Sequence, residues 1–281
     1  IFPMRGLSLS ARASNELGAE IGYQQLTTRI ESGLRWSPRA PFVLFGGFGY
    51  GQDQFFAYSP QLPIFNDWFG PQKLATNTEQ IFGGLHITGD WVDDKDAPKQ
   101  GFQWRLDAQV YGLIENVPYT RFHNDMRVLQ TSGPWTFIQR VGAGQVWWHE
   151  DSLDSLSLRF FLGGGQSVRS WGRRRLEAPG YKGELIEPRL GGDAMLQTST
   201  ELRYALFPDW SVLTFVDSGR VWPSAADIQI NQLLPSVGLG LRAPTPVGMA
   251  TASLAYQLIG NNELDHPPPR INGHFVLSES F

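Results

Sequence analysis

In Phe102-Gln103-Trp104-Arg105-Leu106-Asp107-Ala108-Gln109-Val110-Tyr111-Gly112, apolar and polar residues alternate with period two. Phe102, Trp104, Leu106, Ala108 and Val110 share one face, and Gln103, Arg105, Asp107 and Gln109 share the other. Successive side chains of a β-strand point to opposite sides, so this pattern predicts a strand with one apolar and one charged face. The flanking sequence repeats it. Over 119–131, Phe122, Met126 and Val128 oppose Arg121, His123, Asp125 and Arg127. Over 22–36, Leu26, Ile30, Leu34 and Trp36 oppose Gln25, Arg29, Glu31 and Arg35. Over 196–207, Leu196, Leu202, Tyr204 and Leu206 oppose Gln197, Ser199, Glu201 and Arg203. These segments are about twice the usual 5–6 residues of a strand in a soluble domain. A tilted strand crosses the hydrocarbon layer in about 9–11 residues. A soluble sandwich or lipocalin-like fold would have to hide Arg, Asp and Glu on one face of strand after strand. A transmembrane antiparallel β-barrel, lipid outside and polar lumen inside, satisfies both faces.

The pattern places about twelve strands at 5–14, 20–36, 41–52, 77–92, 102–114, 119–131, 136–148, 196–207, 210–222, 235–245, 249–260 and 271–281. With both termini on the periplasmic side, the long connections 53–76, 149–195, 223–234 and 261–270 all fall outside, as an even-stranded outer-membrane barrel requires. Trp36, Trp91, Trp104, Trp135, Trp148, Trp210 and Trp222 stand near predicted strand ends, where interfacial aromatic girdles lie. Segments 6–51 and 101–145 form a weak internal repeat. The whole of 1–281 is therefore expected to be one barrel domain.

Composition excludes several function classes. Charged residues make up 18% of the chain and the formal net charge is −4, with no basic excess for nucleic acid. Zero Cys removes thiolate metal sites and cysteine nucleophiles. His86, His123, His149, His266 and His274 are scattered without metal-ligand spacing, so neither metal nor other cofactor is expected. Gly163-Gly164-Gly165 lacks the strand–helix setting and the Lys of a phosphate loop. His149 lies near Ser152 without an orienting third group, so a surface lipase is not expected, nor any other enzyme. Arg173-Arg174-Arg175 reads as a basic run on the external loop, solvated or facing lipopolysaccharide phosphates.

Four motifs in the second half, taken in order, resemble one family. Arg159-Phe160-Phe161-Leu162-Gly163-Gly164-Gly165-Gln166-Ser167-Val168-Arg169-Ser170-Trp171-Gly172 is similar to the "rF-x-GG-x-x-S-(V/I)-R-G-(F/Y)" loop of BamA- and TamA-type barrels. Leu190-Gly191-Gly192 followed by Glu201-Leu202-Arg203 resembles that superfamily's "GG…E-(L/Y)-R" strand. Phe215-Val216-Asp217-Ser218-Gly219 resembles its "F-x-D-x-G" strand. Gly238-Leu239-Gly240-Leu241-Arg242 with Thr245-Pro246-Val247-Gly248 resembles its "G-(V/L)-G-(L/I)-R-x-x-(T/S)-P-(V/I)-G" hairpin. The final strand, with Gly273, Phe275 and Leu277, ends in Phe281, as sorted outer-membrane strands do. The chain departs from the pattern at Ser170, where Gly is usual, and at Glu279, a charge on the apolar face. Twelve strands also stand where sixteen are usual.

The resemblance implies a bacterial outer-membrane protein that helps other proteins insert into or cross that membrane. It implies that loop 149–195 folds into the lumen and that its Arg meets acidic residues on the wall. The strand parities fit this, because Glu201 and Asp217 both point inward on adjacent strands. Arg169 is expected to bond both, with Phe215 packed beside it, either bracing the barrel or acting directly in function. A seam between the first and last strands that opens to a client strand is a family expectation too. Implied partners are outer-membrane lipids and lipopolysaccharide, client outer-membrane or secreted proteins, and periplasmic receptor domains or partner subunits outside this chain. The alternatives are an anchor or delivery pore for an N-terminal patatin-like lipase passenger, and a plugged structural barrel.

Overall fold

The computed structural model describes residues 6–20, 23–39, 41–56, 77–93, 99–112, 119–148, 158–176, 191–246, 248–259 and 269–278. Twelve strands follow one another: β1 (Leu7–Glu20), β2 (Tyr23–Trp36), β3 (Val43–Phe56), β4 (Asn77–Val92), β5 (Gln100–Tyr111), β6 (Tyr119–Ser132), β7 (Trp135–Trp148), β8 (Ala194–Phe207), β9 (Trp210–Trp222), β10 (Leu234–Thr245), β11 (Gly248–Gln257) and β12 (Ile271–Ser278). They form one sheet in chain order, each neighbouring pair joined by an antiparallel ladder. Two short 3-10 helices, Ala225–Asp227 and Ile230–Gln232, lie between β9 and β10.

Alternation sends large apolar side chains to the outer face, the reverse of a soluble protein. Leu9 is 80% and Phe275 70% exposed, in company with Phe48, Leu239, Ile30 and Leu254. That surface suits lipid, with the backbone polar groups satisfied strand to strand. At the short-turn end Trp91 stacks between Phe42 and Phe102 at 6.3 and 5.8 Å, and Trp135 meets Tyr204 at 4.7 Å.

The sheet wraps around the loop segment 158–176. Arg121 of β6 and Arg140 of β7 donate to loop carbonyls, as do Gln257 of β11 and Asn272 of β12. Arg173 and Arg174 of the same segment line a cavity with Arg12 of β1 and Arg29 of β2. One short segment meets strands from both ends of the sheet only when the sheet curves into a barrel around it. The apolar core consequently sits inside the barrel, toward the long connections. Phe82, Tyr111, Tyr119, Val146, Met195, Val221 and Leu234 of the wall enclose Leu158, Phe160, Leu162, Val168, Trp171 and Leu176 of the loop.

Some details differ from the sequence reading. β1 runs to Glu20, six residues beyond the expected end, because β2 pairs with it along its whole length up to Glu20 and Tyr23. The polar Ser14-Asn15-Glu16 stretch that breaks the apolar pattern does not break the ladder. Trp148 and Trp222 do not join a girdle. Trp148 has inward parity and packs on the core, and Trp222 is covered by the β9–β10 connection, its Nε1 donating to Gln232 Oε1 at 3.1 Å. Two of the three arginines in the 173–175 run line the cavity inside the barrel instead of the outer surface. Leu113, Ile114, His149, Ser152, Glu279 and Phe281 lie outside the described residues.

Candidate functional site

The loop doubles back through its glycines. Phe160 bridges Gly192 and Leu162 bridges Leu176, and between them the Gly164 N–H donates to the Trp171 carbonyl at 2.9 Å. Gly163 and Gly164 both have φ +104, a region that L side chains rarely adopt, and a Cβ on Gly163 would sit 2.3 Å from the Gly172 carbonyl oxygen. Gly191 and Gly192 lead into β8 against Phe160 and the backbone of Trp222. Gly219 lies under Val168 of the loop. An alanine there would bring its Cβ to 2.8 Å from Val168 Cγ2 and 3.1 Å from Leu162 Cδ1. Gly219→Ala should therefore destabilise the seated loop by about 1–3 kcal/mol, seen as faster proteolysis of the loop while the strand content by circular dichroism stays unchanged.

The loop tip presents Arg169 to β8 and β9. In the register of those strands Ser199 faces Asp217 and Glu201 faces Phe215, which brings two carboxylates, a hydroxyl and an aromatic ring to one spot. Arg169 Nε donates to Asp217 Oδ2 and Nη2 to Oδ1, both at 2.8 Å, a bidentate pair. Nη1 donates to Glu201 Oε2 at 2.5 Å, and the Arg169 backbone N–H adds a bond to Asp217 Oδ2 at 3.1 Å. Ser199 Oγ donates to Asp217 Oδ1 at 2.7 Å, and Arg203 Nε to Glu201 Oε1 at 2.6 Å. The guanidinium lies 3.3 Å from the Phe215 ring centroid, a cation–π contact. Asp217 is 0% exposed, and Arg169 and Glu201 are each 8% exposed. Burial works against the Arg169 charge, but the bonds and attraction of Asp217 and Glu201 outweigh it and hold the guanidinium pKa above its ordinary value. Trp171, two residues on, is almost fully buried in the core.

Several supports were not singled out in the sequence. Arg140 makes a two-oxygen contact with Asp125 and donates to the Gln166 carbonyl at 2.7 Å. Ser167 Oγ donates to Gln197 Oε1 at 2.9 Å. Arg121 Nε donates to the Leu158 carbonyl at 3.2 Å, its guanidinium 4.5 Å from the Phe160 ring centroid. Inward parity marked Arg121, Asp125 and Gln197 as polar and lumen-facing, but parity does not say which part of a loop each will meet. At the chain end, Phe275 and Leu277 point outward and are exposed, and Gly273 lies against Leu254 of β11. On the other side of the lumen a cavity of about 430 Å³ lies among Arg12, Arg29, Glu31, His86, Arg121 and Arg173. There His86 bridges two carboxylates, Asp107 at 2.6 Å and Glu31 at 2.9 Å. The site holds, orients and buries charge; what it joins is a loop to a wall.

A twelve-stranded antiparallel barrel with an arginine-anchored loop in its lumen defines a class of membrane barrel. The chain belongs to the Omp85 superfamily, whose domain matches residues 5–281. Among solved structures, BamA from Haemophilus ducreyi lacking POTRA domains 1-3 is similar over 98% of this chain and 60% of that one, with a TM-score of 0.76 and 14% identity. CdiB from Acinetobacter baumannii is similar over 96% of this chain and 46% of that one, with a TM-score of 0.56 and 14% identity. The chain thus spans less than two thirds of either of these structures, and what it shares with them is the fold.

Proposed function

We propose that this chain is the outer-membrane barrel of a protein that helps client proteins insert into or cross the bacterial outer membrane, with the seam between β1 and β12 as the place where a client strand pairs. The observation that carries this reading is the state of the two end strands. Ladders join all eleven neighbouring pairs from β1 to β12, and no ladder joins β1 to β12 among the described residues. An unpaired strand edge is a template for strand addition. Family membership supports the same reading, as does a lumen whose loop is fixed by Arg169, Asp217 and Glu201, because a loop fixed in the lumen obstructs that path and favours the wall as the route. Trp171, Gly172, Gly163 and Gly164 shape the loop in this scheme, Gly191, Gly192 and Gly219 seat it, and Gly273, Phe275 and Leu277 belong to the seam strand. Lipids and lipopolysaccharide would surround the exposed apolar belt.

Because the chain has no Cys, introduced pairs report without background. Cysteines placed on the outer face at Leu9 in β1 and at Phe275 or Leu277 in β12 should form a disulfide across the seam. The cross-linked protein in liposomes should lose at least tenfold in its rate of inserting an unfolded outer-membrane client, measured by protease protection, and a reductant should restore it. Full activity in fully cross-linked protein would overturn the seam reading.

A further inference from the structure

The loop tip is held twice, by different strands. The Arg169 side chain goes to β8 and β9, as described above. Its backbone carbonyl turns the other way and accepts a bond from His274 Nε2 of β12 at 2.7 Å. A carbonyl only accepts, so Nε2 carries the proton. The next carbonyl, that of Ser170, accepts from Gln257 Nε2 of β11 at 2.9 Å and from Asn272 Nδ2 of β12 at 2.5 Å. A few residues upstream the loop backbone lies directly on β12, where a Cβ on Gly165 would fall 2.5 Å from Val276 Cγ2 and 3.3 Å from His274 Cβ. Asn272, His274 and Val276 share the inward parity of β12, and the loop lies against all three.

Among the described residues β12 is the shortest strand and has a ladder on one side only, to β11, over the eight residues Ile271–Ser278. Its outer face carries exposed Ile271, Phe275 and Leu277. The inner-face bonds are therefore a large share of what fixes it. We propose that Asn272 and His274 form a latch through which the seated loop holds the seam strand, so that β12 is secured while Arg169 is clamped and released when the loop tip moves. Residue 169 carries both connections, and a displacement that breaks the Asp217 and Glu201 bonds also withdraws the carbonyl from His274. His274 and Asn272 are positioning residues; neither touches a client. The latch deepens the seam reading given above and rests on it for its role, though its mechanics are testable separately.

Hydrogen–deuterium exchange of the whole barrel in lipid nanodiscs tests it. In Asn272→Ala/His274→Ala the amides of 271–278 should exchange about tenfold faster, while peptides from β9 and β10 keep their wild-type protection. His274→Gln, which keeps a donor at a similar reach, should recover most of the protection that His274→Ala loses. Unchanged β12 exchange in the double variant would overturn the latch. A second arm covers failure of that variant to fold. In Gly165→Cys/Val276→Cys the oxidised pair replaces the latch covalently, should slow β12 exchange below that of the reduced form, and should suppress the effect of His274→Ala. No difference between oxidised and reduced protein would also overturn it. Client insertion is scored on the same samples: faster β12 exchange with an unchanged insertion rate leaves the latch standing and removes the seam from the functional reading.

Discussion

Replacing Arg169 by alanine should destabilise the folded barrel by about 3–5 kcal/mol, since removing one partner of a buried ion pair strands the other charge. Here two carboxylates are left. Asp217 is 0% exposed and would keep Ser199 Oγ and the backbone N–H of residue 169 but lose its bidentate guanidinium partner. Glu201 would keep Arg203 as its bonded partner. The measurement is the temperature at which the fast-migrating folded form converts to the unfolded form on a gel, together with trypsin cleavage within Arg173–Arg175, a run whose Arg173 and Arg174 line the inner cavity while the loop is seated. The transition should fall by several degrees and cleavage should appear in protein that still has full strand content. Arg169→Lys should lie between wild type and alanine, because an ammonium is a point charge that cannot fork across both Asp217 oxygens and flatten over Phe215. An alanine variant with wild-type heat resistance and a protected loop would show that the clamp neither braces the barrel nor seats the loop.

The second large effect is expected at Trp171. It is 1% exposed and lies in the cluster with Phe82, Tyr111, Tyr119 and Val221 from the wall. Truncating a buried Trp to alanine costs about 3–5 kcal/mol through lost transfer free energy and the cavity left behind. Trp171→Ala should lower the same heat-conversion temperature as Arg169→Ala while the bonds of Arg169 to Asp217 remain, so the double variant should fall further than either single one. A smaller aromatic, Trp171→Phe, should recover more than half of the loss. If Trp171→Ala left the transition where it is, the apolar core inside the lumen would not be what stabilises the barrel.

Much of the architecture was legible in the sequence, since membrane strands are long, alternate without interruption and pair with their chain neighbours. The residues named for the clamp were legible for a related reason. The family resemblance implied a loop arginine that meets acidic residues on the wall, and parity agreed by putting Glu201 and Asp217 inward on adjacent strands. The structure brings those residues within hydrogen-bond distance, with the Phe215 ring against the guanidinium; their role in function is a proposal. Trp222 was misread because parity locates a side chain relative to the sheet and is silent about a connection that folds over it. The end of β1 was misread because Ser14, Asn15 and Glu16 lack apolar contrast, yet a ladder needs only backbone. His274 and Asn272 were invisible as partners for the same reason Gln257 was: they bind carbonyls, which every residue has, and no side-chain type on the loop announces them.

The core in the lumen also has a consequence for the order in which the molecule can be built. Phe82, Tyr111 and Tyr119 come from the first half of the chain, Leu158 to Leu176 from the middle, and Val221 and Leu234 from the last third. The loop tip is then fixed to β11 and β12. The cluster therefore has no complete local subset, and contacts of such sequence separation form late because the closure entropy must be met before they contribute. A chain emerging N-terminus first carries the greasy loop uncovered until its final strands have arrived. Completion is thus all-or-none at the C-terminal end, and the interval before it is when the protein most needs protection from aggregation.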